Sequence, residues 1–130
     1  MSINLKFTDD KQGIYVTLKG KVTLEDFIVG ASEAYTEDNI QAQQYQIIDF
    51  TNCSSFDLSN NDMREIARID IEASQSNPDI KIAIIAATDV AFGMSRVYEA
   101  YADETGFDIK VFRKSEDAEA WIREKLKNSA

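Results

Sequence analysis

Apolar and polar positions alternate at the start of the chain. Ile3, Leu5 and Phe7 are separated by Asn4 and Lys6, and Ile14, Val16 and Leu18 by Tyr15 and Thr17. A period of two belongs to half-buried strands. The intervening Asp9-Asp10-Lys11-Gln12-Gly13 is too short for a helix, so the two segments are predicted to form an antiparallel hairpin.

After Gly20 the period lengthens. Thr23 can cap a helix with Asp26 at the capping-box position, and Leu24, Phe27, Ile28, Ala31 and Tyr35 then share one face. Residues 45–50 form a short β-prone run, followed by a polar stretch, 51–57, read as a loop. Ser59, with Asp62 three residues on, caps a second helix that runs to about Ser76 and stops before Pro78.

Residues 80–87 are nearly all apolar without alternation, which suits a central strand covered on both faces. Thr88 or Asp89 caps a third helix, ended by Gly106 as the left-handed C′ residue. Its core stripe is predicted as Val90, Met94, Val97 and Tyr101, which leaves Phe92 on the opposite, exposed side. Residues 107–112 form the last strand. Ser115 opens a final helix with Glu116 and Asp117 in its first turn, where the helix dipole favours anions, and Ala118, Trp121, Ile122 and Leu126 inward.

Strand and helix units that alternate in this way give an α/β fold. The expectation is one domain over residues 1–130, with a mixed, mostly parallel five-stranded sheet, an N-terminal β-hairpin and four helices.

Composition narrows the function more than it suggests one. Acidic residues outnumber basic ones by 23 to 14, and a net charge of −9 repels nucleic acid and anionic membrane surfaces. Cys53 is the only cysteine, so no intramolecular disulfide or thiolate metal cluster can form, and a reducing, cytoplasmic setting is expected. No signal-like apolar region opens the chain and no apolar run is long enough to insert into a membrane. The absence of histidine removes Ser-His-Asp and Cys-His catalysis. None of the five glycines is spaced as a dinucleotide or P-loop cradle, and no cofactor is expected. The chain reads as a non-enzyme.

Ligands of open parallel sheets gather beyond the carboxyl ends of the strands. The segments there are 20–23, 49–59, 88–92 and 113–115. The richest holds Asp49, Thr51, Asn52, Cys53, Ser54, Phe56, Asp57 and Ser59. Its hydroxyls can bind or accept a phosphate, although Ser and Asp are also what turns and N-caps require. Cys53 reads as a small packed side chain, with no cation beside it in sequence to favour a thiolate. Thr88, Phe92 and Arg96 add a second candidate surface, with Phe92 as a ligand wall or dimer contact. Asp70 falls within an apolar helix face, where a carboxylate needs a partner; a hydrogen-bonded Asp at the rim of that face is expected rather than the wall of a polar pocket.

Three stretches carry a family resemblance: Gly20-Lys21-Val22-Thr23-Leu24-Glu25-Asp26-Phe27, then Phe56-Asp57-Leu58-Ser59, then Ala91-Phe92-Gly93-Met94-Ser95-Arg96-Val97-Tyr98-Glu99. With Ile47-Ile48-Asp49-Phe50-Thr51-Asn52 and the element order, the sequence resembles the STAS domains of anti-sigma-factor antagonists, and most closely their SpoIIAA-like (STAS/SEC14-like) branch. The resemblance implies the fold, a non-enzymatic regulatory role and a small or lipid-like ligand. It also implies a phosphoacceptor serine at the start of the helix after the third strand, which Ser59 matches best. The antagonists read Asp-Ser-Ser-Gly where this chain reads Asp57-Leu58-Ser59-Asn60.

The functional expectation is a non-catalytic binding or regulatory module that holds a protein partner or a small hydrophobic ligand. The alternatives are a phosphoacceptor switch, at Ser59 or in receiver fashion at Asp49, and a structural homodimer.

Overall fold

The computed structural model describes residues 2–128. Five strands make one sheet in chain order: β1 (Ile3–Phe7), β2 (Gly13–Thr23), β3 (Tyr45–Asp57), β4 (Lys81–Ile85) and β5 (Asp108–Phe112). β1 pairs antiparallel with β2 through the predicted hairpin, and every other pairing is parallel. The mixed, mostly parallel sheet inferred from the periodicity is therefore present.

The connections are α1 (Leu24–Ala34) and α2 (Glu37–Ala42) between β2 and β3, α3 (Asn60–Ser76) between β3 and β4, and α4 (Asp89–Tyr101) between β4 and β5. Right-handed crossovers between strands that follow one another in order place their helices on one face. Consistent with this, one continuous core joins Ile14, Val16 and Leu18 of β2, Phe50 of β3 and Ile82 and Ile84 of β4 to residues of α1, α3 and α4. The last helix, α5 (Ser115–Asn128), covers the other face, where Ala118 and Ile122 pack with Ile47, Ala83 and Ile85. β4 is thus buried on both faces, as its unbroken apolar run predicts.

Several expectations need correction. Among the described residues the α-helices number five rather than four, because α2 forms where no element is predicted; Thr36 caps it by accepting from the Asn39 N–H at 3.3 Å, and Ile40 anchors it in the core. The third predicted helix ends at Tyr101 and gives way to a 3₁₀ turn, Ala102–Glu104. Gly106 is not its left-handed cap. Its role is close approach, since a Cβ there would lie 2.6 Å from Pro78 Cβ and 3.2 Å from the Pro78 backbone.

The predicted stripes of two helices hold in part: Leu24, Phe27 and Tyr35 of the first and Met94 and Tyr101 of the other pack against the core, while the remaining positions are shared differently. On α1, Gly30 and Ala34 are buried while Ile28 is 41% exposed. On α4, Ala91, Ser95 and Tyr98 face the core, and Val90 and Val97 are 63% and 40% exposed.

The largest correction concerns residues 51–57. They continue β3 beyond Asp49, the last residue paired with β4, and run on with Lys19–Thr23 of β2 as a two-stranded parallel ribbon. Two register shifts bend this ribbon, between Thr17 and Lys19 and between Gly20 and Lys21, and Gly20 takes φ +69° between them. These bulges reset the alternation, so Phe50, Cys53 and Phe56 all turn to the core at intervals of three while Thr51, Asn52, Ser54 and Ser55 stay exposed. A period of two could not detect that strand.

Candidate functional site

Two regions collect the chemistry. The first is the outer strip of the β2–β3 ribbon that leads into α3. Asp49 is half-buried, and its carboxylate accepts both the Thr51 N–H, at 2.9 Å, and the Thr51 hydroxyl. Thr51, Asn52 and Ser54 are exposed, and Asp57 pairs with Lys21 at 3.6 Å, a solvent-exposed contact that contributes little stability. The strip ends at Ser59, which caps α3. Its hydroxyl accepts the Asp62 N–H at 3.0 Å, and the Asp62 carboxylate accepts the Ser59 N–H at 3.0 Å. Leu58 and Met63 occupy the positions that flank such a box as a hydrophobic staple.

The other predicted residues do not join this strip through hydrogen bonds or ion pairs. Thr88 caps α4 by accepting the Ala91 N–H at 3.1 Å, and Arg96 pairs with Glu99 of the same helix at 3.0 Å. Phe92 is half-buried rather than exposed. It packs against the main core, with the Arg113 guanidinium 4.2 Å from its ring centroid and Arg113 bonded in turn to Asp89 at 2.8 Å. The exposed apolar side chains on α4 are Val90 and Val97.

Cys53 is half-buried, and burial, with Asp49 and Asp26 nearby, pushes its thiol up to about 11. It is a packing residue. A receiver site at Asp49 would need an acidic pair at the carboxyl end of a neighbouring strand, and the only candidate pair, Asp9-Asp10, is not there. Asp9 and Asp10 sit in the hairpin beside Gly13, which pairs with Tyr45 at the opposite end of β3, about 13 Å from Asp49 at the usual rise per residue.

The second region lies beneath the helices and is partly open. A cavity of about 80 Å³ lies between the sheet and the helices α1, α3 and α4. Its walls are mostly apolar, among them Ile48, Phe50, Phe56, Leu58, Met63, Ile66, Ile84 and Met94. Asp70 provides its polar end. The Asp70 carboxylate accepts the hydroxyls of Tyr35, at 2.6 Å, and Tyr98. The Tyr35 oxygen accepts from Gln46 at 3.2 Å; Gln46 also donates to Gln43 at 2.7 Å, and Gln43 to the Ala34 carbonyl at 2.8 Å. Burial raises Asp70 to about 6, although both tyrosine hydroxyls oppose the shift; burial and the adjacent Asp70 hold Tyr35 and Tyr98 well above the ordinary phenol range. Among the described residues Asp70 has no ion-pair partner.

Asp70 was expected at the rim of the α3 face, hydrogen-bonded. It is hydrogen-bonded, but it also lines the cavity. Tyr98 lies outside the predicted α4 stripe, which took in Val97 in its place. Gln43 and Gln46 carried a usable signal, since Gln46 interrupts the inward-facing series that continues with Ile48 and Phe50. A buried glutamine in a central strand requires a polar partner.

Among the described residues, no group of three or more Cys, Asp or Glu side chains is arranged to hold a metal ion, and no helix is long and apolar enough to cross a membrane.

No family model and no curated protein sequence matches the chain. Solved structures do. The chain is similar to the anti-sigma factor antagonist SpoIIAA in its unphosphorylated form, with a TM-score of 0.61 at 12% identity over 93% of this chain and 97% of that one. It is likewise similar to an uncharacterized protein of the DUF3478 family with a SpoIIAA-like fold from Shewanella loihica PV-4, with a TM-score of 0.55 at 20% identity over 92% and 91% of the two chains. The fold is therefore SpoIIAA-like, as the sequence resemblance implied.

Proposed function

We propose that this chain is a non-catalytic regulatory module that docks a protein partner along the β2–β3 ribbon and is switched by phosphorylation of Ser59. The observation that carries the reading is Ser59 itself: an exposed hydroxyl at the first turn of α3, at the end of a polar strip, in a fold shared with an antagonist described in its unphosphorylated form. A phosphate there adds about two negative charges next to the Asp62 carboxylate and within two residues of Asp57. The helix N-terminus welcomes an anion, but the reciprocal Ser59–Asp62 box cannot keep both anions in place. The switch therefore acts by reshaping the start of α3 and recharging the strip.

Phosphopeptide mass spectrometry of the protein from its own host tests this. Phosphoserine at position 59, together with a partner that binds wild type and Ser59→Ala but not Ser59→Asp, supports the reading. An unmodified Ser59 across growth conditions, with partner binding indifferent to Ser59→Asp, sinks it.

The second reading is a small hydrophobic ligand, favoured by the cavity and not by the Phe92 surface first considered. A homodimer would draw instead on Val90 and Val97.

A further inference from the structure

We infer that the cavity between the sheet and α1, α3 and α4 binds a small apolar molecule bearing an ammonium group, held at its polar end by Asp70. The inference rests on the second reading above, in which the cavity is a ligand site, and goes on to name the ligand's chemistry.

Protein interiors are packed to crystal-like density, and voids larger than a water molecule are few. This one is about 80 Å³, roughly half the size of an engineered apolar cavity that takes up benzene (about 150 Å³). A chain of about four or five heavy atoms is the matching occupant. The walls at Ile66, Ile84 and Met94 offer it only dispersion contacts.

The polar end is different in kind. Each tyrosine hydroxyl has one proton, and both are committed to Asp70. The Gln46–Gln43 chain then orients Tyr35 from behind. A carboxylate has about four acceptor sites, so the tyrosines leave roughly half of them unused. Asp70 is partly buried, and carboxylates withdrawn from water are ordinarily paired with a cation; no Lys or Arg among the described residues pairs with this one. A neutral alcohol could supply a hydrogen bond but no charge. An ammonium supplies both, through a charge-assisted bond roughly twice as strong as a neutral one. A carboxylate-bearing ligand would be repelled.

Burial holds the Asp70 carboxyl above its ordinary range, as expected where no cation stabilises the ionised form. The groups that face it are Tyr35 from the end of α1 and Tyr98 from α4, with Gln46 of β3 behind Tyr35, and neither tyrosine ionises near neutrality.

The test is a titration of the full chain at pH 7.5, followed by methyl NMR of Ile66, Ile84 and Met94, with n-butylammonium as probe and n-butanol and butyrate as controls. The net charge of −9 attracts any cation to the surface, so the readout is saturable shifts at these three cavity methyls. The expected result is saturation by butylammonium, at least tenfold weaker binding of butanol, no effect of butyrate, and loss of the ammonium preference in Asp70→Asn. Butanol binding as tightly as butylammonium would overturn the ammonium assignment and leave the cavity as a ligand site. If neither probe reaches the methyls, the inference and the ligand reading fall together. The wild-type comparison decides between these outcomes whether or not the variant folds.

Discussion

The Tyr35 hydroxyl donates to the Asp70 carboxylate at 2.6 Å, and in doing so ties the end of α1 to the middle of α3 across the sheet's helical face. Tyr98 makes the same bond from α4. Three helices that are far apart in sequence thus converge on one carboxylate. A hydrogen bond to an ionised group contributes more than a neutral one, about 1.5–3 kcal/mol. The same carboxylate is desolvated, and the balance between these effects depends on pH.

That balance gives the first prediction. The folded-state value for Asp70, about 6, lies above the ordinary 3.8, so between those values the folded chain keeps a proton that the unfolded chain releases. Stability contributed by Asp70 is therefore greatest below about pH 4 and is lost as pH rises through 6. The shift corresponds to about 3 kcal/mol at neutral pH. Asp70→Asn cannot titrate. Urea unfolding of both proteins between pH 4 and pH 7 should show wild type losing stability relative to the variant as pH rises. Parallel pH profiles would mean that the carboxylate is better solvated than its surroundings suggest.

Gly106 supplies a purely steric prediction. Its neighbours are the Cβ and backbone of Pro78, within the α3–β4 connection, and proline cannot swing aside as a long side chain can. Gly106→Ala should therefore cost about 1–3 kcal/mol, as overpacking does. Gly93→Ala meets nothing within 4 Å and lies inside α4, where alanine is the better helix former by about 1 kcal/mol. Opposite signs for the two substitutions in denaturant unfolding are expected, and a neutral Gly106→Ala would contradict the close packing on Pro78.

Cys53 should be a poor nucleophile. With its thiol raised to about 11, the thiolate fraction at neutral pH falls roughly a hundredfold below that of an ordinary cysteine. Iodoacetamide labelling of the native protein should be slower by a similar factor and should recover fully in denaturant. Native labelling at the rate of a free thiol would show that the β2–β3 ribbon opens.

Much of the architecture was legible because it follows from period and punctuation. The alternation from Ile3 to Leu18, the unbroken run that became β4, and the Ser59–Asp62 box each specify local structure whatever the rest of the chain does. The ribbon was not legible, because its bulges break the period on which strand recognition depends, and its exposed Thr, Asn and Ser are also loop residues. Ile28, Val90 and Val97 were misplaced on the stripes of α1 and α4 for a related reason. The small residues Gly30, Ala34, Ala91 and Ser95 are buried, Gly30 in close approach to Ile3 of β1, while larger apolar side chains drew part of the predicted stripe toward solvent. The cavity was out of reach altogether. Asp70 was conspicuous alone, but its partners come from α1 and α4, and only the fold brings them together.

Ser59 and the cavity are connected through the residues that flank the α3 cap. Leu58 and Met63 hold the two staple positions around the Ser59–Asp62 box, and both line the cavity. Ser59→Ala removes the acceptor for the Asp62 N–H and should cost about 1 kcal/mol, the usual value for an N-cap. Ser59→Asp keeps an acceptor at the cap but places a second carboxylate beside Asp62, so it should retain most of that stability while loosening the reciprocal bond to the Ser59 N–H. If the staple transmits this change, the Met63 methyl resonance should move in Ser59→Asp and stay near its wild-type position in a distant surface control such as Lys127→Gln. Coupling between two sites is reciprocal, so butylammonium should then shift the Ser59 amide in the wild-type protein by way of the same residues. A Met63 methyl indifferent to Ser59→Asp would show that the α3 cap and the cavity are not coupled.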